Sequence, residues 1–268
     1  MNKTSFILLG LCFSALTLVG CFGENPPQIN QPVEPAADVQ HIEEESPTTS
    51  PTLVQPTIQP DTDTPEIEAA ATFKLEVWVD NWFAAFLGET LIVEDSIPIT
   101  TERSFNAETV TFEANYPFYL NFILKDFKEN DTGLEYIGSP KQQIGDGGFI
   151  MQLTESGTGN VIAVSNSAWA CTVIHNAPLD KSCENVSNPV PGVAPCEFTD
   201  LGEPNGWKAP SFDDSSWTPA TIYSANDVRP KDGYDQIRWD EDAEFIWGPD
   251  LKTNNTVLCR IRVDAPLE

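Results

Sequence analysis

The chain has 268 residues, with 41 Asp or Glu against 14 Lys or Arg, giving a formal net charge of −27 and a pI near 4.1. That imbalance excludes electrostatic binding to nucleic acid or to anionic lipid surfaces. The acidity is not confined to one segment, so the folded part is itself strongly acidic.

The chain starts Met1-Asn2-Lys3-Thr4 and continues through an apolar run from Phe6 to Val19. A basic start, a short apolar core and a small-residue exit describe a secretory signal. The run is shorter than the roughly 20 apolar residues of a spanning helix. It ends Leu18-Val19-Gly20-Cys21, which resembles the lipobox of bacterial lipoproteins. The resemblance implies that residues 1–20 are a removable signal peptide. It also implies that Cys21 carries a diacylglycerol on its thiol and an acyl chain, such as palmitate, on its new amino group. Buried acyl chains contribute about 0.8 kcal/mol per CH₂, so several of them fix the chain to the bilayer. Phe22 follows the cysteine, where an Asp would resemble an inner-membrane retention signal, so the implied destination is the outer membrane of the cell envelope.

Residues 21–72 change character. Prolines recur from Pro26 to Pro65 among Glu, Thr, Gln and Asp, with no Lys or Arg. Such a stretch cannot bury enough apolar surface to offset the entropy of ordering it. Proline and like charge keep it extended, so it reads as a disordered tether. Residues 73–268 are long enough for one buried core.

Of six cysteines, Cys12 leaves with the signal and Cys21 takes the lipid, leaving Cys171, Cys183, Cys196 and Cys259. An even number in an exported chain predicts two disulfides, with three possible pairings. The expected pairs are Cys183–Cys196, closing a Pro/Asn/Gly loop, and Cys171–Cys259, tying two strands. A zinc site would need paired C-x-x-C or Cys/His spacing, which the sequence lacks.

Alternating or continuous apolar runs over 73–79, 109–114, 118–124, 148–153, 160–164 and 256–263 predict β-strands. Gly, Asn, Asp and Pro separate them, and no long helical period follows Thr72. Short helical turns are expected around Pro210–Asp213 or Ser224–Asp227. The predicted fold class is therefore all-β, a sandwich or jelly roll.

Trp207…Phe212-Asp213-Asp214-Ser215-Ser216-Trp217…Ala220 is similar to the W…F-D-D-S-x-W…A signature of galactose-binding-like jelly rolls. These modules accompany glycoside hydrolases of families 2 and 78. The Asp80–Glu89 hairpin, Gly147-Gly148-Phe149-Ile150, Ser167-Ala168-Trp169 and the closing Ala243–Trp247 and Val257–Arg260 segments resemble further pieces, in family order. The resemblance implies one galactose-binding-like β-sandwich and a non-catalytic, sugar-binding role. The signature itself reads as structure: Asp213 or Ser215 fixes a turn on backbone N–H groups, and Trp207 and Trp217 plug against the sandwich.

Catalysis has little footing. His175 is the one histidine beyond the tether, no G-x-S-x-G elbow occurs, and abundant carboxylates make no particular pair informative. The chain is expected not to be an enzyme. Asp126, Asn130, Asp131 and Glu135 gather hard oxygen ligands in one turn, which suits structural calcium. Galactose-binding-like domains often hold such an ion. Tyr223, Tyr234, Asp235, Arg238 and Trp239 combine aromatic faces with planar polar groups and form the expected ligand surface. The leading expectation is a membrane-anchored lipoprotein whose partners are the bilayer and a glycan. Docking onto an envelope protein and an unrecognised hydrolase activity are the alternatives.

Overall fold

The structure, a computed structural model, describes residues 70–266. They form a single unit. The expected signal peptide, Cys21 and nearly all of the expected tether lie outside the described residues. Among the described residues no helix is long and apolar enough to cross a membrane.

Fifteen strands follow in order among the described residues. The first five are β1 (Ala71–Asp80), β2 (Trp82–Leu87), β3 (Thr90–Glu94), β4 (Phe105–Ala114) and β5 (Phe118–Lys125). Next come β6 (Leu134–Glu135), β7 (Gln143–Ile144), β8 (Gly148–Glu155), β9 (Val161–Val164) and β10 (Ala170–Asn176). The last are β11 (Thr199–Asp200), β12 (Thr218–Pro219), β13 (Thr221–Tyr223), β14 (Phe245–Trp247) and β15 (Asn254–Val263). Strand β1 starts at Ala71, two residues ahead of the expected domain boundary. One helical turn, α1 (Ala225–Val228), forms where Ser224 and Asp227 complete a reciprocal capping box. The other expected helical site, Pro210–Asp213, is built from turns instead.

All strand pairings are antiparallel. One sheet runs β13-β14-β8-β1-β4, with β9 sharing the second edge of β8. The other runs β11-β10-β15-β5-β2-β3, with β12 added to β10. Period-2 alternation sends Phe73, Leu75, Val77 and Val79 of β1 into the same core as Leu120, Phe122 and Leu124 of β5. The two inner faces thus make a sandwich. Cys171 and Cys259 are direct cross-strand partners facing this core, joined at 2.04 Å.

Each outer face is covered by a strap of irregular chain, and in each case a buried polar side chain of the sheet holds it. On the second sheet, Arg260 and Asn121 donate to the carbonyls of Phe212, Ala209 and Lys208, fixing residues 201–217. Trp207 is buried there beside Trp217, and Ser215 N–H donates to Asp213 Oδ1, closing the expected Asx-turn. On the first sheet, Trp78 Nε1 donates to the Asp232 carbonyl, while Gln152 bonds both the Arg238 carbonyl and the Asp240 N–H. These contacts hold residues 229–244. Straps satisfy backbone groups that a bare outer face could not.

Candidate functional site

A cluster of buried, unpaired carboxylates lies at one end of the sandwich. In β5 the inward alternation Leu120, Phe122, Leu124 continues to residue 126, which is aspartate. Asp126 therefore takes a core position and is 2% exposed. Asp80 closes β1 at 1% exposed, and Glu135 of β6 is 3% exposed. Asp146 joins them from the loop between β7 and β8.

Two glycines bring that loop in. A Cβ on Gly145 would lie 2.4 Å from Asp126 Oδ2, and one on Gly147 would lie 2.3 Å from the Trp247 ring. Only a residue without a side chain fits either place. The hairpin carrying Glu135 is held from below by the Cys183–Cys196 lobe, whose disulfide packs against Leu134 and Ile144. Gln142 donates to the Glu184 and Val186 carbonyls at 2.8 and 2.9 Å, joining hairpin and lobe.

The carboxylates are poorly compensated. Neither oxygen of Asp126 has a hydrogen-bond partner, and Asp80 Oδ2 has none. The Asn255 amide stands near Asp126 and favours its charged form, but its Nδ2 closes no hydrogen bond. Burial, then the charges of Asp80, Glu135 and Asp146, push Asp126 well above the usual carboxylate range. Burial and Asp146 do the same to Asp80, against the opposing pull of Lys231. Glu135 is raised to about 7, chiefly by burial, although Gln143 Nε2 donates to it at 2.8 Å. Lys231, reaching in from its strap, stands 3.7 Å from Asp80 and 4.0 Å from Asp146. Among the described residues, no three carboxylate, histidine or cysteine side chains converge as a closed metal-ligand set.

A cleft of about 140 Å³ opens beside the cluster, lined by Glu102, Arg103, Tyr136, Gln143, Asp146 and Lys231 among others. Tyr136 adopts a positive φ of 52°, rare for a residue with a side chain, and its hydroxyl donates to Glu102 Oε1 at 2.6 Å.

The sequence-predicted site residues are distributed as follows. Asp126 and Glu135 enter the buried cluster. Asn130 instead accepts from Thr132 N–H and Oγ1, and Asp131 pairs with Lys128 and with His175 Nε2 at 3.3 Å. His175 is buried, stacked on Phe198, with Nδ1 3.1 Å from Asn255 Oδ1. Tyr234 stacks on both Trp239 and Phe245, and the Tyr223 hydroxyl donates to the Gly248 carbonyl. These aromatics belong to a small core under the strap, while Asp235 and Arg238 are exposed. Asp80, Glu102, Arg103, Tyr136, Gln143, Asp146 and Lys231 were not singled out from the sequence. The one local signal was Gly145-Asp146-Gly147-Gly148, an acid set between glycines.

No family model matches the chain, and no curated protein or solved structure is significantly similar to it.

Proposed function

We propose that this protein is a lipid-tethered, non-catalytic binding module of the bacterial envelope, and that its cleft takes a glycan. The observation that carries this reading is the composition of the cleft wall. Glu102, Arg103, Gln143 and Tyr136 line one cleft, a combination of planar polar groups and an aromatic ring able to pair sugar hydroxyls and cover a sugar face. Attachment through Cys21 rests on the Leu18–Cys21 segment, and two cysteine pairs at bonding distance suit an oxidising compartment. The finer fold reading, a galactose-binding-like jelly roll, is supported by the Trp207–Trp217 strap being clamped by the Arg260 of the closing segment.

The test is binding of the oxidised full chain to a broad polysaccharide and oligosaccharide panel, with calcium present. Binding lost in Tyr136→Ala and kept in Trp239→Ala places the sugar in the cleft; the reverse places it on the strap. Silence of the folded protein across the panel contradicts the glycan reading. Release of new reducing ends from any panel member would convert it to a hydrolase.

A second reading, docking onto an envelope protein, is favoured by Leu179, Val190, Val193 and Leu201. All four are exposed apolar residues in or beside the Cys183–Cys196 lobe, at 48, 53, 57 and 75%.

A further inference from the structure

The open edge of the first sheet is a surface that the cleft does not use. We propose that β4 pairs with β4 of a second copy of this chain, antiparallel about a two-fold axis at Thr111. The first sheets of the two copies then run on as one. This goes beyond the binding reading and stands whether or not the cleft takes a sugar.

The first ground is the contrast between β4 and the other edge strands among the described residues. Sheets protect their edges with short strands, bulges, prolines or lysines. The edge strands β9, β11, β12 and β13 have only two to four residues each. Strand β3 has five, and its pairing with β2 is bulged. Strand β4 has ten, in unbroken register with β1 and with no Pro, Gly, Lys or Arg among them.

The second ground is where its backbone groups point. Ser156 N–H donates to the Thr72 carbonyl, so the even residues of β1 turn their N–H and C=O groups to β8. The odd residues of β1 turn theirs to β4. By the β1–β4 register, Val110 and Phe112 bond to β1, while Thr109, Thr111 and Glu113 point their backbone groups outward. Those three residues are exposed. Such a row of N–H and C=O groups is a template for another strand.

The third ground is the symmetry of the open stretch. At one end the strap covers the edge, since a Cβ on Gly233 would lie 2.5 Å from Ala107 N. At the other, β4 ends at Ala114. The open stretch is therefore 108–114, and its midpoint is Thr111. Antiparallel pairing sets residues of like backbone orientation opposite each other, so a two-fold between identical strands passes through a residue. Centred on Thr111, the pairing uses the open stretch alone, whereas centring on Thr109 or Val110 runs into the covered Ala107. Val110 then lies against Phe112 of the second copy, and Phe112 against its Val110. Both are half-buried on the main core, and aromatic–β-branched pairs across strands favour association. Glu113 falls opposite Thr109. Glu108, already held by Ser96 N–H and Asn106 Nδ2 of its own chain, falls opposite Ala114. No carboxylate of one paired strand faces a carboxylate of the other.

The experiment is sedimentation velocity of the oxidised, thiol-blocked full chain from about 1 μM to about 1 mM, the range of a small, transient interface. Amide hydrogen exchange is read at both ends of that range. A monomer–dimer equilibrium is expected, tightening severalfold between about 0.05 and 0.5 M salt because both copies are acidic. The Thr109, Thr111 and Glu113 amides should exchange more slowly in the dimer. Thr111→Pro removes a donor that faces solvent in the single chain, so it should keep the fold and weaken the dimer roughly tenfold or more. Thr111→Lys sets two ammonium groups face to face and should weaken it too. Thr109→Lys instead sets an ammonium against Glu113 of the second copy, at two places, and should tighten the dimer severalfold. Opposite signs for two lysines on one face of one strand belong to this register and not to non-specific association. If Thr111→Pro does not fold, the two lysine variants carry the test. A wild-type chain that stays monomeric at the highest concentration and salt would overturn the proposal, as would a dimer that Thr111→Pro leaves unchanged. Equal protection of the three amides at every concentration would also overturn it, because the chain's own residues before Ala70 would then lie on the edge.

Discussion

Arg260 and Phe212 lie 48 residues apart, and the guanidinium of the first donates from Nη1 to the carbonyl of the second at 3.2 Å. The same guanidinium donates to the Ala209 carbonyl at 3.1 Å, lies 3.3 Å from Asp214 and stands over the Tyr119 ring. At 1% exposed, Arg260 is the fixed point on which the Trp207–Trp217 strap closes over the sheet.

Removing this group strands two carbonyls and the strap they belong to. Arg260→Ala is expected to lose about 2–5 kcal/mol in urea denaturation, roughly 1–3 kcal/mol for each carbonyl left without a donor. Arg260→Lys should recover only part of this, since an ammonium cannot present a planar fork to two carbonyls while stacking. Asp214→Asn, at the solvent-facing end, should cost about 1 kcal/mol or less.

The Cys171–Cys259 pair closes a separation of 88 residues between the neighbouring strands β10 and β15. Cys171→Ala with Cys259→Ala is expected to lower stability by about 2–5 kcal/mol, through freedom returned to the unfolded chain and two core side chains cut short. Comparison of melting temperatures with and without reductant checks it. The double variant should be much less sensitive to reductant than the wild type.

Asp95, just beyond β3, carries a pH signature of its own. Burial, with Glu108 adding to it, raises its carboxyl from 3.8 to about 7, although Ile97 N–H donates to Oδ1. A raised carboxyl binds its proton more tightly in the folded state. Its contribution is therefore fully present below about 4 and is lost as pH rises towards about 7. Asp95→Asn keeps an acceptor for Ile97 and never ionises. The stability gap between variant and wild type should widen in favour of the variant from pH 4 to 7 and stay level above, measured by denaturation across that range.

The strands were legible because their burial is written in period 2. Phe73 to Val79 and Phe118 to Leu124 alternate as a two-sided sandwich requires. The Asp80–Glu89 hairpin was legible from the pattern it resembles, with its turn at Leu87-Gly88, and the two disulfides from an even count of four cysteines beyond residue 72. The end of the sandwich was not legible. Asp126 looks like the first residue of an acidic surface turn, and nothing local says that it continues the inward register of β5. Its neighbours Asp80, Asp146 and Lys231 are 46, 20 and 105 positions away. Only the strand pairings and the Gly145 approach bring them together. Tyr234 and Trp239 show the converse. Aromatics among charged residues resemble a ligand platform, but here they pack on one another because the strap over β1 and β8 needs a core of its own.

The sharpest measurement is the stability of Asp126→Asn in metal-free buffer. If the buried carboxylates are kept for a ligand and not for the fold, the amide should relieve them. It can accept from the unpartnered Asn255 Nδ2 and donate towards Asp80. The expected result is a gain of about 0.5–2 kcal/mol over wild type, as for other sites that give up stability for function. A loss of similar or larger size, with the fold intact, would mean that Asp126 is a structural carboxylate and would contradict the assignment of this end of the sandwich as the functional site.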